Sequence, residues 1–147
     1  NYELVSNWNR ATQEFWNYED WEPLLKLIPE IESEANFEKV VSQFFDIVYD
    51  IPIIIPFDWP AWDEGRVMAS DESFDFDTVD LETKCKLSPA VVRNDRFCEG
   101  TLLSAFKSGF VLKILKSIEK EVSNFSIWLI VSFQLNIERF CLINCYA

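Results

Sequence analysis

The chain contains no histidine. That absence removes Ser–His–Asp and Cys–His nucleophilic catalysis, imidazole acid–base chemistry and histidine-containing zinc sites. Glycine is nearly as scarce, with Gly65, Gly100 and Gly109 the three in the chain and the closest pair nine residues apart. Neither a phosphate-cradling loop nor a dinucleotide fingerprint can be written from them. The four cysteines, Cys85, Cys98, Cys141 and Cys145, lack the tight framework of a small secreted disulfide scaffold. Reduced thiols in a cytoplasmic protein are the expectation, with a leader before Asn1 left open. Nor does any apolar run reach the roughly 18 residues needed to cross a bilayer. The nearest, residues 125–133, gives way to Gln134, Asn136, Glu138 and Arg139. No membrane span is expected.

What the chain has in quantity is aromatic carbon and negative charge. Of 147 residues, 49% are hydrophobic, with 13 Phe and 6 Trp. That suffices for one domain with a packed core, without help from metal or disulfide. The net charge of −12 is unevenly spread: residues 1–80 hold 19 acids against 4 bases, and residues 81–147 hold 6 against 9. The asymmetry hints at an interaction surface, although acids also serve simply to keep an aromatic chain soluble. An acidic first half argues against direct nucleic-acid binding, which needs positive charge.

Apolar spacing predicts a mainly α domain of about six helices, with room for one short strand pair between residues 53–55 and the tail. Residues 3–18 read as a first helix. A second opens at Asp20 or Trp21 and is bent or stopped by Pro29. Asn36 is placed to cap the clearest helix, whose stripe is Phe37, Val40, Val41, Phe44, Phe45 and Val48. Residues 51–57 are β-branched and bounded by proline, as in an extended segment. A helix from Pro60 to about residue 70, an acidic loop over 70–80 anchored by Phe74 and Phe76, and a helix over 79–92 with Pro89 inside it follow. A turn at Asn94-Asp95 then leads into one long helix over 99–122, which carries Lys107, Lys113, Lys116 and Lys120 on its polar side. The helical domain is assigned to residues 1–122. The apolar extension 123–147 either packs on it or is atypical, and its periodicity does not choose between strand and helix.

Two segments concentrate chemistry. In the first, two indoles, three carboxylates and a guanidinium, from Asp58, Trp59, Trp62, Asp63, Glu64 and Arg66, crowd around a helix start. Each has a local use available as cap, dipole partner or stacked Trp62–Arg66 pair. The same residues could also wall a pocket. In the second, Arg93, Asp95, Arg96 and Glu99 surround a turn. Asp95 could cap the next helix, with Glu99 in its first turns. The arginines could pair with the acidic half, or take a carboxylate or phosphate in a forked grip. Elsewhere the patterns are weaker. Asp71, Asp75, Asp77 and Asp80 alternate with Phe and lack the glycine and terminal glutamate of a calcium loop. Cys141 and Cys145 are too few for a metal site and read as core.

These two segments, IIPFDWPAWDEGR (54–66) and TKCKLSPAVVRNDRFCEG (83–100), with SAFKSGFVLKIL (104–115) and an opening WEPLLKLI (21–28), resemble an uncharacterised family of small bacterial and phage-associated proteins. The resemblance implies a compact, mostly helical intracellular domain over roughly residues 20–120. It carries no activity and no catalytic residue. Two departures stand out: Pro89 falls where the family pattern is uninterrupted helix, and the chain beyond about Ser123 outruns the expected end.

Function is therefore expected to be that of a protein–protein interaction or regulatory domain with an acidic surface, without cofactor, metal or catalytic residue. The alternative is an enzyme using carboxylates and arginine, with Mg²⁺ as a possible aid, on an anionic substrate. Both place the working surface on Asp58, Trp59, Trp62, Glu64, Arg66, Arg93, Asp95, Arg96 and Glu99, and the enzyme needs the two segments to share a cleft.

Overall fold

The structure is a computed structural model that describes residues 18–50 and 57–145. All but Tyr18 of the foreseen helix over 3–18 and all but Phe57 of the extended segment lie outside those residues. Seven α-helices and two 3-10 turns make up the described part, with no strand among the described residues. The mainly α reading is what the chain adopts. The helices are α1 (Tyr18–Leu25), α2 (Ile28–Glu32), α3 (Phe37–Asp50), α4 (Asp63–Ser70), α5 (Leu81–Asp95), α6 (Thr101–Lys107) and α7 (Phe110–Cys145).

Local chemistry sets most of the boundaries. Pro29 occupies the first turn of α2, where its missing N–H is no loss, so the proline divides α1 from α2. Asn36 caps α3 as its position predicts, its Oδ1 accepting from Lys39 N at 3.1 Å. Asp80 does the same for α5, accepting from Thr83 N at 2.8 Å. Pro89 lies inside α5, buried, and the helix continues through it to Asp95. Asn94 and Asp95 are thus the last helical residues rather than a free turn.

Two expected elements are divided. The helix foreseen from Pro60 is a 3-10 turn, Trp59–Ala61, followed by α4, with the chain bending at Trp62. The long helix foreseen over 99–122 is α6 and α7, broken at Gly109, whose φ of 78° lies in the left-handed region that a side chain disfavours. Glu99 stands in the turn before α6, not inside it. In the tail the ambiguity resolves to helix, since α7 runs unbroken from Phe110 to Cys145. Being helical, the tail is no strand partner for residues 53–55.

The core is built around the first part of α7. Val111, Ile114, Leu115, Ile118 and Val122 are all buried, at the i, i+3, i+4 spacing of one helical face. They meet Trp21, Leu24 and Leu25 of α1, Ile28 and Ile31 of α2, Phe44 of α3 and Leu102 and Phe106 of α6 in one cluster. Phe44 and Phe106 meet edge to face at 5.3 Å between centroids. Such a pair contributes about 0.5–1.5 kcal/mol beyond its area burial.

Charge joins the two halves of the chain. The lysines of α7 face the acidic half, Lys116 pairing with Glu32 and Lys120 with Asp77 at 2.5 Å. Lys113 Nζ donates to the carbonyl of Glu72. Lys84, 2% exposed, reaches Glu121 at 2.5 Å. Two ion pairs, Lys116–Glu32 and Lys120–Asp77, thus join early acids to late lysines, whereas Lys84–Glu121 lies within the later half. The acidic loop is anchored as foreseen: Phe76 is buried, with ring contacts to Phe74 at 5.1 Å and Phe110 at 5.5 Å.

Candidate functional site

The Trp-rich turn and the twin-arginine turn come together, and Trp59 stands where they meet. On one side of it lies a cleft of about 750 Å³. Trp59, Pro60, Trp62 and Arg66 form one wall; Ala90, Val91 and Asn94 of α5 with Glu99, Gly100, Thr101 and Ser104 form the other. Lys113 of α7 and the Asp71–Glu72 turn close one end. On the other side is a shallower groove of about 620 Å³ lined by Tyr49, Phe57, Asp58, Trp59, Arg93, Arg96 and Phe97. The expected residues therefore fall into two adjoining sites.

The Trp wall is made by a close approach. Gly65 in α4 is buried, and a Cβ at that position would overlap the six-membered ring of Trp62. Only a glycine lets the indole lie flat on the helix. Trp62 also meets Phe57 edge to face at 5.6 Å. The stacked Trp62–Arg66 pair is not formed. Arg66 instead turns to Asp63 Oδ1 at 2.5 Å and to the carbonyl of Pro60 at 2.8 Å. A carboxylate one turn away and an open carbonyl offer directed hydrogen bonds, which outweigh the weaker attraction of a ring face.

Most acids near the cleft have structural employment. Asp58 Oδ1 accepts from Ala61 N at 3.4 Å and starts the 3-10 turn. Asp95 Oδ1 accepts from Leu102 N at 2.9 Å, so from the end of α5 it satisfies an early N–H of α6, whose N-cap residue is Gly100 and not Asp95 as foreseen; it lines neither site. Asp71 takes both the backbone N–H and the hydroxyl of Ser73. Those bonds to Ser73, chiefly the hydroxyl, hold its carboxyl below the ordinary carboxylate value. Glu64 is exposed on α4, outside both sites. Among the described residues no group of three or more acids and cysteines is placed to hold a metal ion.

The arginines of the second turn behave differently from expectation. Neither pairs with an acid among the described residues. The Arg93 guanidinium lies over the Phe57 ring at 5.9 Å and that of Arg96 over Tyr49 at 5.1 Å. Their position explains part of this. Both sit at the C-terminal end of α5, where the helix dipole favours a cation, and aromatic faces are the nearest surfaces. Sequence reasoning missed Tyr49 and Phe97 on this side and Asn94, Thr101, Ser104 and Lys113 on the other. Phe97 carried a usable signal: it is a large apolar residue between two charged turns, and it is 77% exposed.

Residues 34–124 match the family of unknown function DUF6508. The match spans more than half of the chain and contains both sites, so the chain belongs to that family. It begins after the WEPLLKLI segment and stops where the apolar tail starts. No curated protein and no solved structure matches the chain. Among the described residues no helix is long and apolar enough to cross a membrane.

Proposed function

We propose that the chain is a recognition domain that takes a segment of a partner protein in the cleft between the Trp turn and the start of α6. The observation that carries this reading is the convergence on one cleft of two sequence segments about thirty residues apart, with α6 and α7 completing it. Its lining alternates apolar surface with amide, hydroxyl and charged groups. That mixture suits a peptide, whose backbone needs hydrogen-bond partners and whose side chains need apolar contact. Indoles with exposed faces are frequent anchors in such interfaces.

Catalysis by carboxylate and arginine has less support. Asp58, Asp63, Asp71 and Asp95 are each engaged locally, and Arg66 is held by Asp63. The remaining candidates divide between the two sites, with Glu99 in the cleft and Arg93 and Arg96 in the groove. An acidic surface, a bacterial source and a cytoplasmic setting complete the proposed reading.

Ser104→Trp tests it. Ser104 is exposed and lines the cleft, so an indole there fills the space without touching the core. Affinity capture from cell lysate with wild type and variant should give a partner at least tenfold depleted on the variant. Equal recovery on both, or no reproducible partner for wild type, overturns the proposal.

A further inference from the structure

The second groove has a chemistry of its own. In a chain with 25 acids and 13 bases, an arginine without a carboxylate partner among the described residues is out of the ordinary, and here two stand together. Arg93 and Arg96 are three residues apart at the end of α5, so they project to the same side. Each guanidinium carbon stands over a ring, that of Arg93 over Phe57 and that of Arg96 over Tyr49. Stacking occupies the face of a guanidinium and leaves its N–H groups, which point outward in the plane, unspent. Neither side chain donates a hydrogen bond to any described residue.

Helix-end electrostatics and ring contact explain why the two cations rest where they do. They do not explain why neither donor edge meets an acceptor among the described residues. Beside those edges, the Trp59 and Phe97 rings lie 5.8 Å apart at a tilt of 39°, and Phe97 is largely in solvent. A flat apolar body would recover that surface from water.

The sign and size of the charge narrow the ligand further. Two guanidinia and the Asp58 carboxylate give the groove a net charge of +1. A single negative charge balances it. A phosphate, which carries about −1.5 to −2 near neutral pH, would leave an excess negative charge beside Asp58, on a molecule that already carries −12. A carboxylate matches both the charge and the forked geometry of guanidinium.

We infer that the Arg93–Arg96 groove binds a carboxylate carried on a flat apolar group. This rests on the Trp59 surface being a recognition surface, and it names the ligand chemistry of the half that the cleft does not use. Such a carboxylate has two sources: a free aromatic acid, or an aromatic residue at the end of a peptide chain.

NMR titrations of the full chain with benzoate, benzamide, N-acetylphenylalanine and N-acetylphenylalanine amide test the inference. At least one acid should bind ten times more tightly than its own amide, with shifts at Arg96 and Phe97, and the tighter of the two acids identifies the source. Arg96→Gln, an exposed change, should weaken that acid at least fivefold while leaving the circular dichroism spectrum intact. Inorganic phosphate should compete poorly. Amides that bind as well as acids, phosphate that displaces benzoate at equal concentration, or an Arg96→Gln chain that binds unchanged would each overturn it. Ser104→Trp separates this result from the fate of the cleft: it should abolish partner capture and leave the acid bound.

Discussion

Gly65 shows how much of the candidate surface depends on a missing carbon atom. The Trp62 ring occupies the volume in which a side chain at Gly65 would begin. Gly65→Ala is otherwise a helix-favouring change, worth up to about 1 kcal/mol in an exposed helix. Here it should destabilise the chain, by about 1–3 kcal/mol if the indole is forced from its seat. Thermal unfolding with near-ultraviolet circular dichroism checks both parts, the second reporting the changed indole environment. A variant as stable as wild type with an unaltered aromatic signal would show that Trp62 does not rest on this glycine. Cys85 and Cys98 also differ. Burial, with the nearby Glu121, pushes the Cys85 thiol well above its ordinary value, whereas Cys98 is exposed. Cys85 is thus a packing residue rather than a nucleophile.

At the scale of elements, α7 plays two parts along one length. Its first third supplies the central face of the core, with Leu115 and Ile118 fully buried. Further on, Ile127 is 60% exposed and Val131 50% exposed, four residues apart. Leu115→Ala should cost about 2–5 kcal/mol, as for large-to-small changes in a packed interior. Ile127→Ser should change stability by less than about 0.5–1 kcal/mol, because it removes little buried surface. Urea denaturation of both variants checks the contrast, and equal losses would mean that the far part of the helix is also core.

The elements that periodicity made legible were those with one dominant apolar stripe. In α3, the spacing from Phe37 to Val48 gave the buried face directly. Asn36 and the Phe74–Phe76 anchors were legible too, because cap and anchor chemistry is local. The breaks at Trp62 and Gly109 were not. A helical stripe continues across both, and only the tertiary placement of α4 and α6 decides where the chain must turn. The site was readable to a similar degree. Composition brought Trp59, Trp62, Arg66, Arg93, Arg96 and Glu99 to attention, but nothing in sequence order shows that they line two sites rather than one. Likewise, the choice of ring faces over acids by Arg93 and Arg96 depends on where Tyr49 and Phe57 lie in space.

For the whole molecule, the linkage of acidic and basic halves sets the response to pH. Hydrogen bonds from Lys120 and Ser117 hold the Asp77 carboxyl below its ordinary value, and the bond to Thr83 does the same for Asp80. Asp77 in turn holds the Lys120 ammonium above its usual range. A carboxylate whose value is depressed on folding stabilises the fold above its unfolded value, near 3.8, and that contribution fades as pH falls through the lower folded value. For Lys120 the stabilisation is complete below 10.5 and is lost as pH rises through the raised folded value. Asp77→Asn should therefore lower Tm at pH 7, and the gap between variant and wild type should close in strong acid. Parallel melting curves from pH 7 to pH 2 check this. A gap that stays constant would mean that Asp77 acts through shape and not through charge.

The position of Trp59 has a consequence at the same scale. Together with Pro60, its indole lines both of the adjoining hollows, of about 750 and 620 Å³. With the ring in place, the surface offers two compartments of opposite temperament, one rich in hydroxyls and amides, the other in guanidinium and aromatic carbon. The effect of substituting Trp59 thus cannot be assigned to either compartment alone, because the ring is a wall of both.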